Sequence, residues 1–89
     1  MTELHCIVSG RVQAVAFRDF VRNIAIELGI NGYVKNLPDG SVEVLAQGDL
    51  QILKVLMNHI RTGPAGSNVV EVYDEWGQVT EEYSTFDAL

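Results

Sequence analysis

The chain has 89 residues, enough for one domain and too few for two. Hydrophobic residues make up 47% of it, which excludes a disordered chain, and a lone cysteine, Cys6, excludes an internal disulfide. The net charge of −6 argues against nonspecific nucleic-acid binding, and no apolar run reaches the roughly 20 residues that a membrane-spanning helix needs.

Residues 3–9 alternate, with Leu4, Cys6 and Val8 on one side, and predict a first strand ending at Gly10. Residues 17–28 have a helical period: Phe17, Phe20, Val21, Ile24, Ala25 and Leu28 share a face, and Gly29 is the stop. Residues 31–37 and 41–47 are two strand-like runs around Pro38-Asp39-Gly40, a hairpin signal. Residues 49–62 return to helical spacing through Leu50, Leu53, Leu56, Met57 and Ile60, with Asp49 as the expected N-cap and Gly63-Pro64 as the stop. A fourth strand is expected over residues 68–76, and Tyr83–Leu89 is a candidate short fifth.

The order β-α-β-β-α-β is that of the ferredoxin-like split βαβ sandwich, an α+β fold with two helices on one face of an antiparallel sheet. One domain over residues 1–89 is expected. This architecture hosts enzymes, metal carriers and RNA binders alike, so it carries no function by itself.

Charge is uneven. Residues 10–36 hold Arg11, Arg18, Arg22 and Lys35 against Asp19 and Glu27, whereas residues 37–89 hold only Lys54 and Arg61 against nine acids. A small anion would be drawn to the first region, while a polyanion would be repelled elsewhere. Arg18 falls at the start of the first helix, where the helix dipole and unpaired N–H groups already favour negative charge. A cation there suits a site that binds an anion such as phosphate. Helix position alone also fits a solvated arginine paired with Asp19 or Glu3.

Gly10-Arg11-Val12-Gln13-x-Val15-x-Phe17-Arg18 resembles the signature of the acylphosphatase family, usually GRVQGVxFR. Gly32-x-Val34-x-Asn36, followed by Asp39-Gly40-Ser41-Val42-Glu43, is similar to that family's second signature, at matching separation. The resemblance runs from about residue 4 to Val72. It implies hydrolysis of acyl phosphates to a carboxylate and inorganic phosphate by in-line attack of water, without metal or cofactor. It also implies the roles: the backbone of Gln13, Ala14, Val15, Ala16, Phe17 and Arg18 holds the phosphate, the Arg18 side chain grips it, and Asn36 orients the water. The implied partners are a small acyl phosphate and inorganic phosphate; charge and hydropathy lead to the expectation of no nucleic acid and no membrane, and the chain is expected to be a monomer. The N-terminus, Met1 to His5, has no basic region followed by an apolar stretch, so the cytoplasm is the expected location.

One position departs from the signature: Ala14 stands where the family usually has glycine, a residue suited to positive φ or close approach of phosphate. The alternative function is therefore a binding module of the same fold with weak or no turnover. Other candidates read as structural. His5 and His59 lack metal-ligand neighbours, and Cys6 reads as a buried small hydrophobe. Tyr73 and Trp76 read as packing residues, Asp19 as favourable charge at a helix start, and Arg11 as solvated.

Overall fold

The structure, a computed structural model, describes residues 1–13 and 16–89. The elements run β1 (Thr2–Arg11), α1 (Phe17–Glu27), β2 (Asn31–Asn36), β3 (Val42–Gly48), α2 (Leu50–Thr62), β4 (Asn68–Gln78) and β5 (Phe86–Ala88). The sheet order is β4-β1-β3-β2-β5. β1 is antiparallel to both β3 and β4, and β2 is antiparallel to β3.

The predicted elements all form. The expected alternation places Leu4, Cys6 and Val8 inward, beside Val42, Val44 and Ala46 of β3 in register. Phe17, Val21 and Ala25 of α1 and Leu53, Leu56, Met57 and Ile60 of α2 pack on that face as one core. Phe20, Ile24 and Leu28 pack against its margin. Leu50 leaves the expected stripe and is exposed. Asp49 caps α2 by accepting from the Gln51 N–H at 2.9 Å, as its position predicts.

Two features differ from the expectation. The sheet is mixed, because β5 pairs parallel with β2, Val34 facing Ala88. β5 does not follow its neighbour by a hairpin. Residues 79–85 carry the chain along one end of the sheet from the β4 edge to the opposite edge, so β5 starts at the end where β2 starts and runs the same way. Tyr73 and Trp76 are exposed rather than packed, because β4 is an edge strand.

The crossing segment is fastened on the face opposite the helices. The buried Gln47 side chain donates to Glu3 Oε1 at 2.9 Å and to the carbonyl of Glu81, and accepts from the Tyr83 N–H at 3.0 Å. The Tyr83 ring meets Tyr33 edge-on, centroids 5.8 Å apart.

At the other end of β1 the pairing with β4 shifts register between Ser9 and Gly10, as at a bulge. Gly10 has φ 125°, and a Cβ there would sit 2.0 Å from the Asn68 carbonyl oxygen. Only glycine fits, which gives the signature's first residue a local structural reason.

Candidate active site

Three segments converge past the ends of β1 and β2. The first is the start of α1. Its N-cap is Ala16, with φ 57° and ψ 31°, and no side chain caps the helix. The first backbone bond of the helix runs from Phe20 N–H to the Ala16 carbonyl at 3.0 Å, so the N–H groups of the opening turn precede the helical ladder. Arg18 projects from this turn, half-buried, and donates through Nη1 to the carbonyl of Leu89. Its partner is thus neither Asp19 nor Glu3, and Glu3 is engaged by Gln47.

Ala16 is the one non-glycine residue with positive φ among the described residues. Left-handed backbone costs an alanine roughly 1–2 kcal/mol, and such strain persists where surrounding structure enforces it. The family signature has its glycine at position 14, not 16. Ala14 and Val15, two of the expected phosphate-holding positions, lie outside the described residues.

The second segment is the end of β2. Asn36 pairs in register with Val42, on the helix-covered face of the sheet, and its Oδ1 is buried with no hydrogen-bond partner among the described residues. Leaving a buried carbonyl unsatisfied costs roughly 1–3 kcal/mol, so this acceptor calls for a donor from outside the described residues. The third is Leu89, whose N–H bonds the Val34 carbonyl at 2.8 Å. This contact brings the Arg18 partner beside β2, two residues from Asn36.

The expected hairpin forms, through a loop over residues 37–41. Leu37 N–H donates to the Ser41 carbonyl at 2.9 Å and Gly40 N–H to the Leu37 carbonyl at 3.1 Å. Asp39 Oδ1 accepts from the Ser41 N–H and hydroxyl, which holds its carboxyl below the usual range. The Gln13 side chain reaches this loop and donates to the carbonyls of Leu37 and Ser41, each at 2.8 Å.

Sequence reasoning missed the Leu89 contact, the left-handed Ala16 and the reach of the Gln13 side chain. Only the last left a trace, a polar side chain between Val12 and Val15. The remaining titratable candidates lie elsewhere. His5 Nε2 is 2.7 Å from Glu43 Oε2 on the open face, where Lys35 also approaches Glu43 at 3.6 Å. The His59 ring packs edge-on against Phe20. Two surface hollows, one beside Met1 and Gln78, the other beside Ile26 and Phe86, include neither Arg18 nor Asn36.

Two helices on one face of a ferredoxin-like sheet, with an arginine-bearing helix start beside a strand end, define the class of protein. The profile of the acylphosphatase family matches residues 4–88. An acylphosphatase of Thermus thermophilus is 44% identical over 78 residues, covering 88% of this chain and 89% of that protein. One from Dehalococcoides mccartyi is 46% identical over 87 residues, covering 93% and 96%. The crystal structure of the Bacillus subtilis acylphosphatase superposes with a TM-score of 0.97 at 34% identity, covering all of this chain and 99% of that one. The chain belongs to the acylphosphatase family.

Proposed function

We propose that this protein is an acylphosphatase that hydrolyses acyl phosphates to a carboxylate and inorganic phosphate, one domain acting as a monomer without metal or cofactor. The observation that carries the reading is the family match across residues 4–88, with Arg18 and Asn36 at the two motif positions.

The chemistry follows from the residue types. Phosphoryl transfer is governed by positioning and charge stabilisation. In this reading the phosphate oxygens are bound by backbone N–H groups of the Gln13-to-Arg18 motif and by the α1 dipole, and Arg18 offers a guanidinium fork to two of them. Asn36 Oδ1, without a partner among the described residues, accepts a hydrogen bond from the attacking water and aims its lone pair at phosphorus. The leaving group is a carboxylate, stable as it departs, so no strong general acid is needed.

Hydrolysis of benzoyl phosphate by the wild type, beside Arg18→Ala, tests the reading. Turnover by the first and its loss in the second are expected. A folded wild type with no rate above background would overturn the enzyme and leave a phosphate-binding module.

A further inference from the structure

The Gln13 side chain ties together two segments that are far apart in sequence. A single Nε2 donates to Leu37 O and Ser41 O, 24 and 28 positions away, each bond 2.8 Å long. Both carbonyls already accept one backbone bond inside the loop, from Gly40 and Leu37. Gln13 therefore fills the second lone pair of each, and the two hydrogens of its amide are both used. Leu37 is bonded directly to Asn36. Gln13 is itself the last described residue of β1's continuation before the segment that leads to Ala16 and Arg18.

We infer that Gln13 is a positioning residue, whose amide sets the placement of Asn36 relative to the phosphate-holding backbone. The inference rests on the acylphosphatase reading above. In that reading the phosphate is held by the backbone that Gln13 opens, and the water by the strand end that Gln13 grips. The amide fixes the distance between nucleophile and phosphorus. Glutamine suits the role by its chemistry. Ionised glutamate has the length but no donor, asparagine is one methylene short, and methionine has the shape without either hydrogen. The loop keeps both of its backbone bonds without Gln13, so loss of the clamp loosens Asn36 rather than unfolding the hairpin.

The test is a double-mutant cycle of Gln13→Met with Asn36→Ala, with Gln13→Glu as a second clamp variant should the first fold poorly. Misplaced reacting groups cost roughly ten- to a hundredfold, so Gln13→Met lowers kcat by that order while inhibition by inorganic phosphate changes little. With Asn36 already removed, the same substitution costs less than about twofold, because coupled residues are not additive. A full, multiplied loss in the double variant, or an unchanged kcat in the single one, overturns the inference. The side-chain amide resonance of Asn36, followed by NMR, separates this outcome from failure of the enzymatic reading. In Gln13→Met that resonance shifts and the Gly40 amide exchanges faster. If both stay at their wild-type values the clamp does not position Asn36, whatever the turnover.

Discussion

Arg18, in the first turn of α1, donates to the backbone carbonyl of Leu89, 71 positions further along the chain. The contact links the helix start to the edge of the sheet, since the Leu89 N–H is bonded to Val34. It occupies one donor of the guanidinium, which carries five, and leaves the other four for a phosphate. A cation fixed at a helix N-terminus is unfavourable until an anion arrives.

Arg18→Ala is expected to lower kcat/KM by about a thousandfold or more, the scale on which a transition-state arginine acts in phosphoryl transfer. Competitive inhibition by inorganic phosphate is lost with it. Arg18→Lys recovers little, because an ammonium offers a point charge in place of a fork. Steady-state kinetics with phosphate as inhibitor decide the matter, and retained phosphate inhibition in Arg18→Ala would remove the arginine from its role.

Ala16 and Ala14 make separable predictions. Ala16→Gly removes a left-handed strain of roughly 1–2 kcal/mol and adds back about 0.4–1 kcal/mol of unfolded-chain freedom. The net gain raises Tm by a few degrees in thermal unfolding, on a scale of roughly 4–8 °C per kcal/mol. A lower Tm would mean that the alanine methyl makes contacts worth more than the strain. Ala14→Gly restores the family's usual residue and tests catalytic efficiency instead, with a several-fold rise expected if the methyl crowds the phosphate.

The periodic elements were legible because burial dictates them. Leu4, Cys6 and Val8 had to face one way, and Phe17, Val21 and Ala25 had to share a stripe. Gly29 and Asp49 marked helix ends by local backbone chemistry that needs no tertiary knowledge. What escaped was set by distant chain. Gln47 occupies an outward strand position and is buried only because residues 79–85 cross over it. The parallel pairing of β5 depends on that same crossover. At the candidate site, Arg18 and Asn36 were singled out by the family resemblance of their motifs, whereas the Leu89 carbonyl left no mark, because any residue there would present one.

Asn36→Ala removes an acceptor that has no partner among the described residues, while sparing the groups proposed to meet the phosphate. Loss of one oriented polar group of this kind costs roughly a hundred- to a thousandfold in kcat. Phosphate inhibition should stay near the wild-type value. Loss of phosphate binding in this variant would move Asn36 from the water to the phosphate.

Charge on the transferring phosphoryl group is met by Arg18 and by backbone N–H groups in the proposed mechanism, so activity should survive a chelator. Dialysis against EDTA followed by assay with and without added magnesium checks this. Activity lost to EDTA and restored by magnesium would require a metal in the reaction.

Cys6 yields a prediction for stability rather than catalysis. Its thiol lies wholly inside the core in β1, and its pKa is pushed from 9.0 to about 12, by burial first and then by the carboxylate of Asp74, against a smaller opposite pull from Arg61. In the unfolded chain the thiol ionises near its ordinary value. Between the two values the folded chain keeps a proton that the unfolded chain has lost, so stability falls as pH rises. The contribution is fully present below about pH 9 and is lost progressively toward about pH 12, with a limiting slope near 1.4 kcal/mol per pH unit. Other groups titrate in the same range, so the comparison is with Cys6→Ala, which lacks this slope. At neutral pH the wild type is the more stable of the two, because the alanine leaves a small cavity. That gap should narrow as denaturant midpoints are followed into alkali, and a gap that holds constant would mean the thiol ionises as freely in the fold as outside it. The same burial predicts that thiol reagents label Cys6 only when the protein unfolds.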